Sequence, residues 1–315
     1  MKKHTLKFFL FFTIVIILIT LKTTSSHLTA PKNYGWGGVL SGDIKIDSLF
    51  IGSSHTRQSY DLKIIEKECR CNPYLFAYSG LGPSFIYIIL KYLIEDLNIK
   101  PTQVVVEAYP FKILFKPRMY DDRIFHFAPF KVKTEIIKLL NANGDKKLDF
   151  TNYVSLFLTG RNETLLLSFF TNSLIKKYSY KGSYQFKVMT SVTQNEFQNF
   201  PKNLTKIENQ KTIQWTVIEY YKKIIKLLKK NNINLLFIDP PLPANIRSSE
   251  MAKKTKSILL KALGANKSDY FAPWENQIEY TTNPLYFNDW NHLSSLGRSI
   301  FSKDVGALLT NLQHE

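Results

Sequence analysis

The apolar positions of the chain fall into short blocks that alternate between strand-like and helix-like spacing. Phe8 to Leu21 is apolar apart from Thr13 and Thr20 and follows Lys2, Lys3 and Lys7. Thr23 to Gly42 is mostly polar, with Pro31 and four glycines, and predicts a linker. The run from Asp47 to Ile51 then predicts a first strand that stops at Gly52-Ser53-Ser54. Thr56 to Cys69 carries Leu62, Ile64 and Ile65 among charged residues and predicts a helix. Tyr74 to Tyr78 predicts a second strand, ending at Ser79-Gly80-Leu81-Gly82-Pro83. Phe85 to Leu97 follows as an apolar helix, and Val104 to Val106 as a third strand introduced by Pro101. Strand, helix and strand at this spacing imply right-handed crossovers and a parallel sheet covered on both faces.

From Phe111 to about Gln210 the regular period is lost. This stretch holds Tyr120, Phe125, His126, Phe127 and Phe130, a helical pattern from Thr134 to Leu140, and an apolar segment near Leu165 to Phe170. It is too long for a bare loop in a compact domain, so residues 111–210 are expected to be an insertion with helices of its own, lying over the carboxyl edge of the sheet as a lid or docking surface. Alternation resumes with a helix from Thr212 to Lys229, a buried strand from Ile233 to Asp239, a helix from Glu250 to Leu263, a short strand from Asp269 to Phe271 and a closing helix from Leu293 to Leu312. The fold class is therefore α/β: a three-layer α/β/α sandwich over residues 43–315, with a parallel sheet of about five strands.

Composition changes this picture at three points. The chain is 315 residues long and 44% hydrophobic, enough to bury one full core. Its formal charge of +17 favours anionic partners, but the excess is lysine spread along the chain without a compact basic tract. With neither a zinc-finger spacing nor an RNA-binding aromatic motif, nucleic acid is disfavoured as a partner. The two cysteines, Cys69 and Cys71, are spaced too closely for ordinary disulfide geometry and match no common metal motif, so neither a disulfide nor a metal site is expected.

Residues 1–22 read as a secretory signal or an uncleaved membrane anchor, and both export the remainder. The apolar run is shorter than the ~20 residues that cross a bilayer comfortably, which favours a signal. Lys22 closes it and no Ala-x-Ala site follows, which favours a single-pass anchor with its lysines in the cytoplasm and the domain on the periplasmic or extracellular side.

The candidate chemistry gathers at two distant places. Ser54 lies where the first strand turns into a helix, at the carboxyl edge where open α/β sheets bind ligands, close to free backbone N–H groups able to hold an oxyanion. Asp289 and His292 occupy the loop before the last helix. Their spacing lets the carboxylate bond Nδ1 of the imidazole and leaves Nε2 to face Ser54. A serine hydroxyl alone is a poor nucleophile, so the combination carries the reading. The plain alternative makes Ser53 and Ser54 helix caps and His292 a satisfied polar residue.

Gly52-Ser53-Ser54 together with Asp289-x-x-His292 resembles the SGNH/GDSL hydrolase superfamily, over roughly residues 45–110 and 212–312. That resemblance implies Ser54 as nucleophile, His292 as base, Asp289 as its orienting acid, and Gly80 after the second strand as an oxyanion donor. Ser79 and Tyr109 are available to line the pocket, and Arg57 either binds an anionic substrate group or, the plainer reading, makes a surface pair. The variant Gly-Ser-Ser-His-Thr-Arg, the amino-terminal apolar segment and His292-Leu-Ser-Ser-Leu-Gly297-Arg look more like one branch, the exported proteins that work beside membrane-bound O-acyltransferases in alginate O-acetylation and teichoic-acid D-alanylation. This implies O-acyl transfer to a cell-surface polysaccharide without a cofactor, an acyltransferase partner, and tethering to the membrane. An esterase of the same fold and a non-catalytic glycan-binding or assembly protein are the alternatives. Two residues depart from the family pattern. Ser53 stands in place of the usual aspartate, and the third strand ends Glu107-Ala108-Tyr109-Pro110 where an oxyanion-binding asparagine is expected. A carboxylate there would repel an oxyanion, so Glu107 is not expected to be catalytic.

Overall fold

The computed structural model describes residues 34–42, 45–118, 120–121, 124, 128–144, 179–184, 188–203, 212–264, 270–272, 275 and 277–314, with single positions between 10 and 17 before them. The expected membrane segment lies largely outside these residues, and among the described residues no helix is long and apolar enough to cross a membrane. The apolar segment near Leu165 to Phe170 also lies outside them.

Five parallel strands form the sheet: β1 (Ser48–Gly52), β2 (Pro73–Ala77), β3 (Gln103–Glu107), β4 (Asn234–Ile238) and β5 (Tyr270–Phe271), in the spatial order 2-1-3-4-5. Successive side chains face opposite layers, as the strand period requires. Leu49 and Ile51 of β1, Tyr74 and Phe76 of β2, and Val104 and Val106 of β3 enter one core. Phe50, Leu75 and Val105 enter the other. Both faces are apolar because both are covered, which explains why these strands read as continuous hydrophobic runs.

The first core lies under α4 (Pro83–Lys91), α5 (Phe130–Ala142) and α6 (Trp215–Lys230), and the second under α3 (Leu62–Cys69) and α8 (Ser295–His314). On α6, Val217, Ile218, Tyr221, Ile224, Leu227 and Leu228 are buried at helical spacing while its lysines face water. The helix α7 (Glu250–Leu263) opens on a Ser249 cap bonded to the Ala252 N–H and closes at Gly264 in the left-handed region. A separate hairpin, Ser179–Tyr180 with Ser183–Tyr184, accepts the Leu75 N–H at the Lys181 carbonyl and so covers the free edge of β2.

Three expectations need correction. The linker expected over residues 23–42 is folded in its last part: α1 (Gly35–Leu40) drives Trp36 fully into the core, edge-on to Phe76, with its indole N–H donating to the Ile124 carbonyl. The helix expected over Thr56–Cys69 is two helices, α2 (Ser54–Ser59) and α3, broken where Tyr60 turns extended and Asp61 caps the second through the Lys63 N–H. Cys69 and Cys71 are joined in a disulfide. Arg70 between them takes the left-handed conformation that ends α3 (φ 51°, ψ 27°), and this brings the two Cα atoms to 5.2 Å. Spacing alone does not reveal this left-handed turn, which makes the close pairing possible.

Candidate active site

The strand order reverses between β1 and β3, because the chain runs from β1 to β2 on one side and then crosses over to β3 on the other. The carboxyl ends of β1 and β3 thus frame the crevice where open α/β sheets take their ligands. Ser54 begins α2 at the mouth of this crevice. Glu107 closes β3 directly opposite.

Ser54 meets the distant pair. Its Oγ lies 3.0 Å from Nε2 of His292, whose Nδ1 lies 2.8 Å and 3.1 Å from the two Asp289 carboxylate oxygens. Because a carboxylate only accepts, Nδ1 carries the hydrogen and Nε2 is left to accept from the serine hydroxyl. Burial alone would raise the Asp289 pKa, but the hydrogen bond and charge of His292, with the Asn291 N–H, bring it below the usual aspartate value and keep it ionised at neutral pH.

A narrow loop holds the pair in place. Phe287 and Leu293 form an antiparallel bridge, and the Asn288 N–H donates to the His292 carbonyl at 2.9 Å, so Asp289 and His292 sit on a closed turn. The Asn291 N–H caps the Asp289 carboxylate at 2.9 Å. The tail of the insertion straps this turn from outside: the Asn288 side chain donates to the Thr190 carbonyl, and the Val192 N–H to the Phe287 carbonyl, each at 2.9 Å. Part of the insertion thereby braces the base instead of covering it.

The nucleophile is held from beneath by Glu107, which is 3% exposed. Its carboxylate accepts from the Ser53 N–H at 2.7 Å, the Ser53 hydroxyl at 2.8 Å, the Thr56 N–H at 3.2 Å and the Thr56 hydroxyl at 2.7 Å. These donors flank Ser54 on both sides, so Glu107 fixes the turn that presents it. Gly52 is the residue that lets the carboxylate in: a Cβ there would overlap the Thr56 hydroxyl and the Glu107 side chain. Lys112 stands 3.9 Å from the same carboxylate, its pKa lowered by burial in spite of that partner. The position of the missing asparagine is thus occupied by a group turned toward the elbow, a role that sequence reasoning did not find. The signal was present in the hydroxyls Ser53 and Thr56 on either side of Ser54.

Gly80 follows β2 with φ +71°, and a Cβ there would overlap Tyr120. Among the described residues neither its N–H nor that of Ser54 has a hydrogen-bond acceptor. Arg57 does not face the cavity; it donates to the Ser79 hydroxyl at 3.0 Å and stands 4.0 Å from Asp121, while the Ser79 N–H donates to Asp121 at 3.3 Å. It therefore ties the loop that carries Gly80 to the helix that carries Ser54.

Ser54, Ser79, Gly80 and Tyr109 line a single cavity of about 360 Å³, together with His55, Lys112, Phe115, Tyr120, Trp290 and Asn291. Phe115, Lys116, Pro117, Arg118 and Tyr120 come from the insertion, so the start of that segment does form a wall of the site. Tyr109 packs its ring 4.0 Å from that of His55. No family model and no curated protein matches the chain.

Proposed function

We propose that the protein is an exported, serine-dependent acyl-ester enzyme of the SGNH type, with a flavodoxin-like strand order, transferring an acyl group to a hydroxyl of a cell-surface polysaccharide. The observation that carries this reading is the relay from Ser54 through His292 to Asp289, assembled from the two ends of the chain at the topological switch of the sheet. In this proposal Ser54 Oγ attacks the acyl carbonyl as its proton passes to His292 Nε2, while Nδ1–H stays on Asp289. The N–H groups of Ser54 and Gly80 meet the developing oxyanion. The leaving group takes the proton from Nε2, and an incoming hydroxyl repeats the sequence to release Ser54.

The amino-terminal apolar run would tether the domain outside the cytoplasm, beside a membrane-bound O-acyltransferase that supplies the acyl group. Leu10, Phe11, Ile14 and Ile17 are exposed, which suits a segment that meets lipid. A specific observation favours a second reading, a glycan-binding protein without catalysis: no side-chain amide stands at the end of β3 to complete the oxyanion hole, and Glu107 takes that position. The full chain, purified in mild detergent and incubated with p-nitrophenyl acetate and separately with a fluorophosphonate, divides the two. Modification confined to Ser54 and absent in Ser54→Ala supports the enzyme. A folded protein that takes no label supports the binding reading.

A further inference from the structure

His55 stands one residue beyond the nucleophile, 4% exposed, and lines the cavity. Its ring lies 4.0 Å from that of Tyr109 and 5.1 Å from that of His292, centroid to centroid. Its backbone N–H is used, donating to the Ser53 hydroxyl. Its ring nitrogens hydrogen-bond to nothing among the described residues, and they are not among the sealed, unpartnered polar atoms, so they open to the cavity. An imidazole that opens into a cavity with no partner among the described residues is one of the few polar groups there free to orient a bound molecule.

The chemistry of the ring narrows the kind of molecule. Burial, with His292 and Lys112 close by, pushes the pKa of His55 well below its ordinary value of 6.5, so the imidazole is neutral around pH 7. A neutral imidazole offers one donor and one acceptor, so it can meet a hydroxyl in either sense, and it gives an ionic ligand no charge to pair with. Its place beside His292 narrows the role. The hydroxyl that attacks an acyl-serine must reach Nε2 of His292, and the His55 ring stands beside that base. The oxyanion side, at Gly80, is occupied by backbone donors. Phe115, Tyr120 and Trp290 supply apolar ring faces around the same space, of the sort on which sugars rest.

We propose that His55 binds the acceptor hydroxyl of a sugar in the Ser54 cavity and sets it against the acyl-enzyme, favouring transfer to carbohydrate over transfer to water. This rests on the acyl-enzyme reading above. In the step concerned the sugar oxygen forms the new bond to the acyl carbon and the bond from that carbon to Ser54 Oγ breaks. The hydroxyl proton goes to His292 Nε2 and then to Ser54. His55 holds the hydroxyl through a hydrogen bond and undergoes no net proton change.

Two measurements test this on the full chain. In the first, p-nitrophenyl acetate is the donor and xylotriose, cellotriose and chitotriose are acceptors, and the ratio of acetylated sugar to free acetate is compared in wild type, His55→Leu and His55→Gln. Loss of one hydrogen bond predicts a ratio lowered about tenfold in His55→Leu, with partial recovery in His55→Gln, whose amide again donates and accepts. An unchanged ratio in His55→Leu overturns the proposal. The second needs no chemistry: binding of the same three sugars to Ser54→Ala is compared with binding to Ser54→Ala/His55→Leu. Weaker binding by the double variant, about tenfold, supports the role even if wild type takes no acyl group, in which case only the enzymatic reading fails. Equal binding by the two variants, or no binding of any of these sugars to Ser54→Ala, overturns it.

Discussion

Replacing Glu107 separates the placement of the nucleophile from the stability of the fold. The carboxylate receives two backbone N–H groups and two hydroxyls, all inside the protein. In Glu107→Gln the amide oxygen can take the place of Oε2 and keep both backbone bonds, while the new NH₂ meets the Ser53 hydroxyl, which is able to accept. What is lost is charge assistance: bonds to a charged group contribute about 1.5–3 kcal/mol and neutral ones about 1. Allowing for non-additivity, the cost is about 2 kcal/mol. Glu107→Ala instead strands the Ser53 and Thr56 N–H groups, each worth about 1–3 kcal/mol when buried and unpaired, for a loss of about 3–5 kcal/mol. The effect on Ser54 follows a different rule, since a displacement of about 1 Å at a reacting group costs on the order of 10²-fold. Urea unfolding should therefore grade Gln above Ala. The rate of fluorophosphonate labelling per folded molecule should fall about 10- to 100-fold already in Gln, with the KM for p-nitrophenyl acetate little changed. A Gln variant that loses stability yet labels Ser54 at the wild-type rate would refute the positioning role.

Four further outcomes follow from the same geometry. Asp289→Asn leaves an amide that can present its NH₂ to Nδ1 and reverse the tautomer, so turnover of an activated ester should drop about 10³- to 10⁴-fold with the fold intact by circular dichroism. Gly80→Ala places a methyl against Tyr120 at a positive φ, and is expected to slow ester turnover about 10²-fold by shifting one oxyanion donor. Folded His55 resists the proton that the unfolded chain binds near pH 6.5, so its contribution to stability is full above that pH and declines as pH falls below it, by up to about 1.4 kcal/mol per unit. His55→Gln should flatten that acid limb in urea midpoints measured between pH 5 and 7.5. The disulfide closes so short a loop that replacing both Cys69 and Cys71 by serine should cost only about 1.5 kcal/mol, and a loss above about 4 kcal/mol would show that it does more than close the loop.

What could be read in the chain, and what could not, divides along physical lines. Period and composition located β1, β2, β3 and β4 because each is buried on both faces, and they located α7 to the residue because Ser249 and Gly264 cap it. The meeting of Ser54 with His292 was legible because each role has a fixed chemical type, and the parallel sheet brings the two ends of the chain to one edge. Glu107 was rightly not expected to be catalytic, and its positioning role was missed for an equally physical reason. Sequence supplies the position of a side chain along a strand but not the direction in which it turns at the strand end. A carboxylate facing the cavity would oppose an oxyanion, whereas one facing Ser53 and Thr56 fixes the elbow. The two orientations differ only by rotation about side-chain bonds, and what selects between them is Gly52, which opens the space for the carboxylate, and the four donors that fill it. The same logic covers Arg57. Its charge left open an anionic ligand or a structural pair; Asp121 and Ser79 lie within its reach, and a cation so placed serves the frame of the site. His55 is the converse case, a residue to which no role was assigned from sequence and that the fold leaves open at the cavity. Arg57 is satisfied by Ser79 and Asp121, so its work is internal, whereas the His55 ring opens into the Ser54 cavity and is available to a substrate.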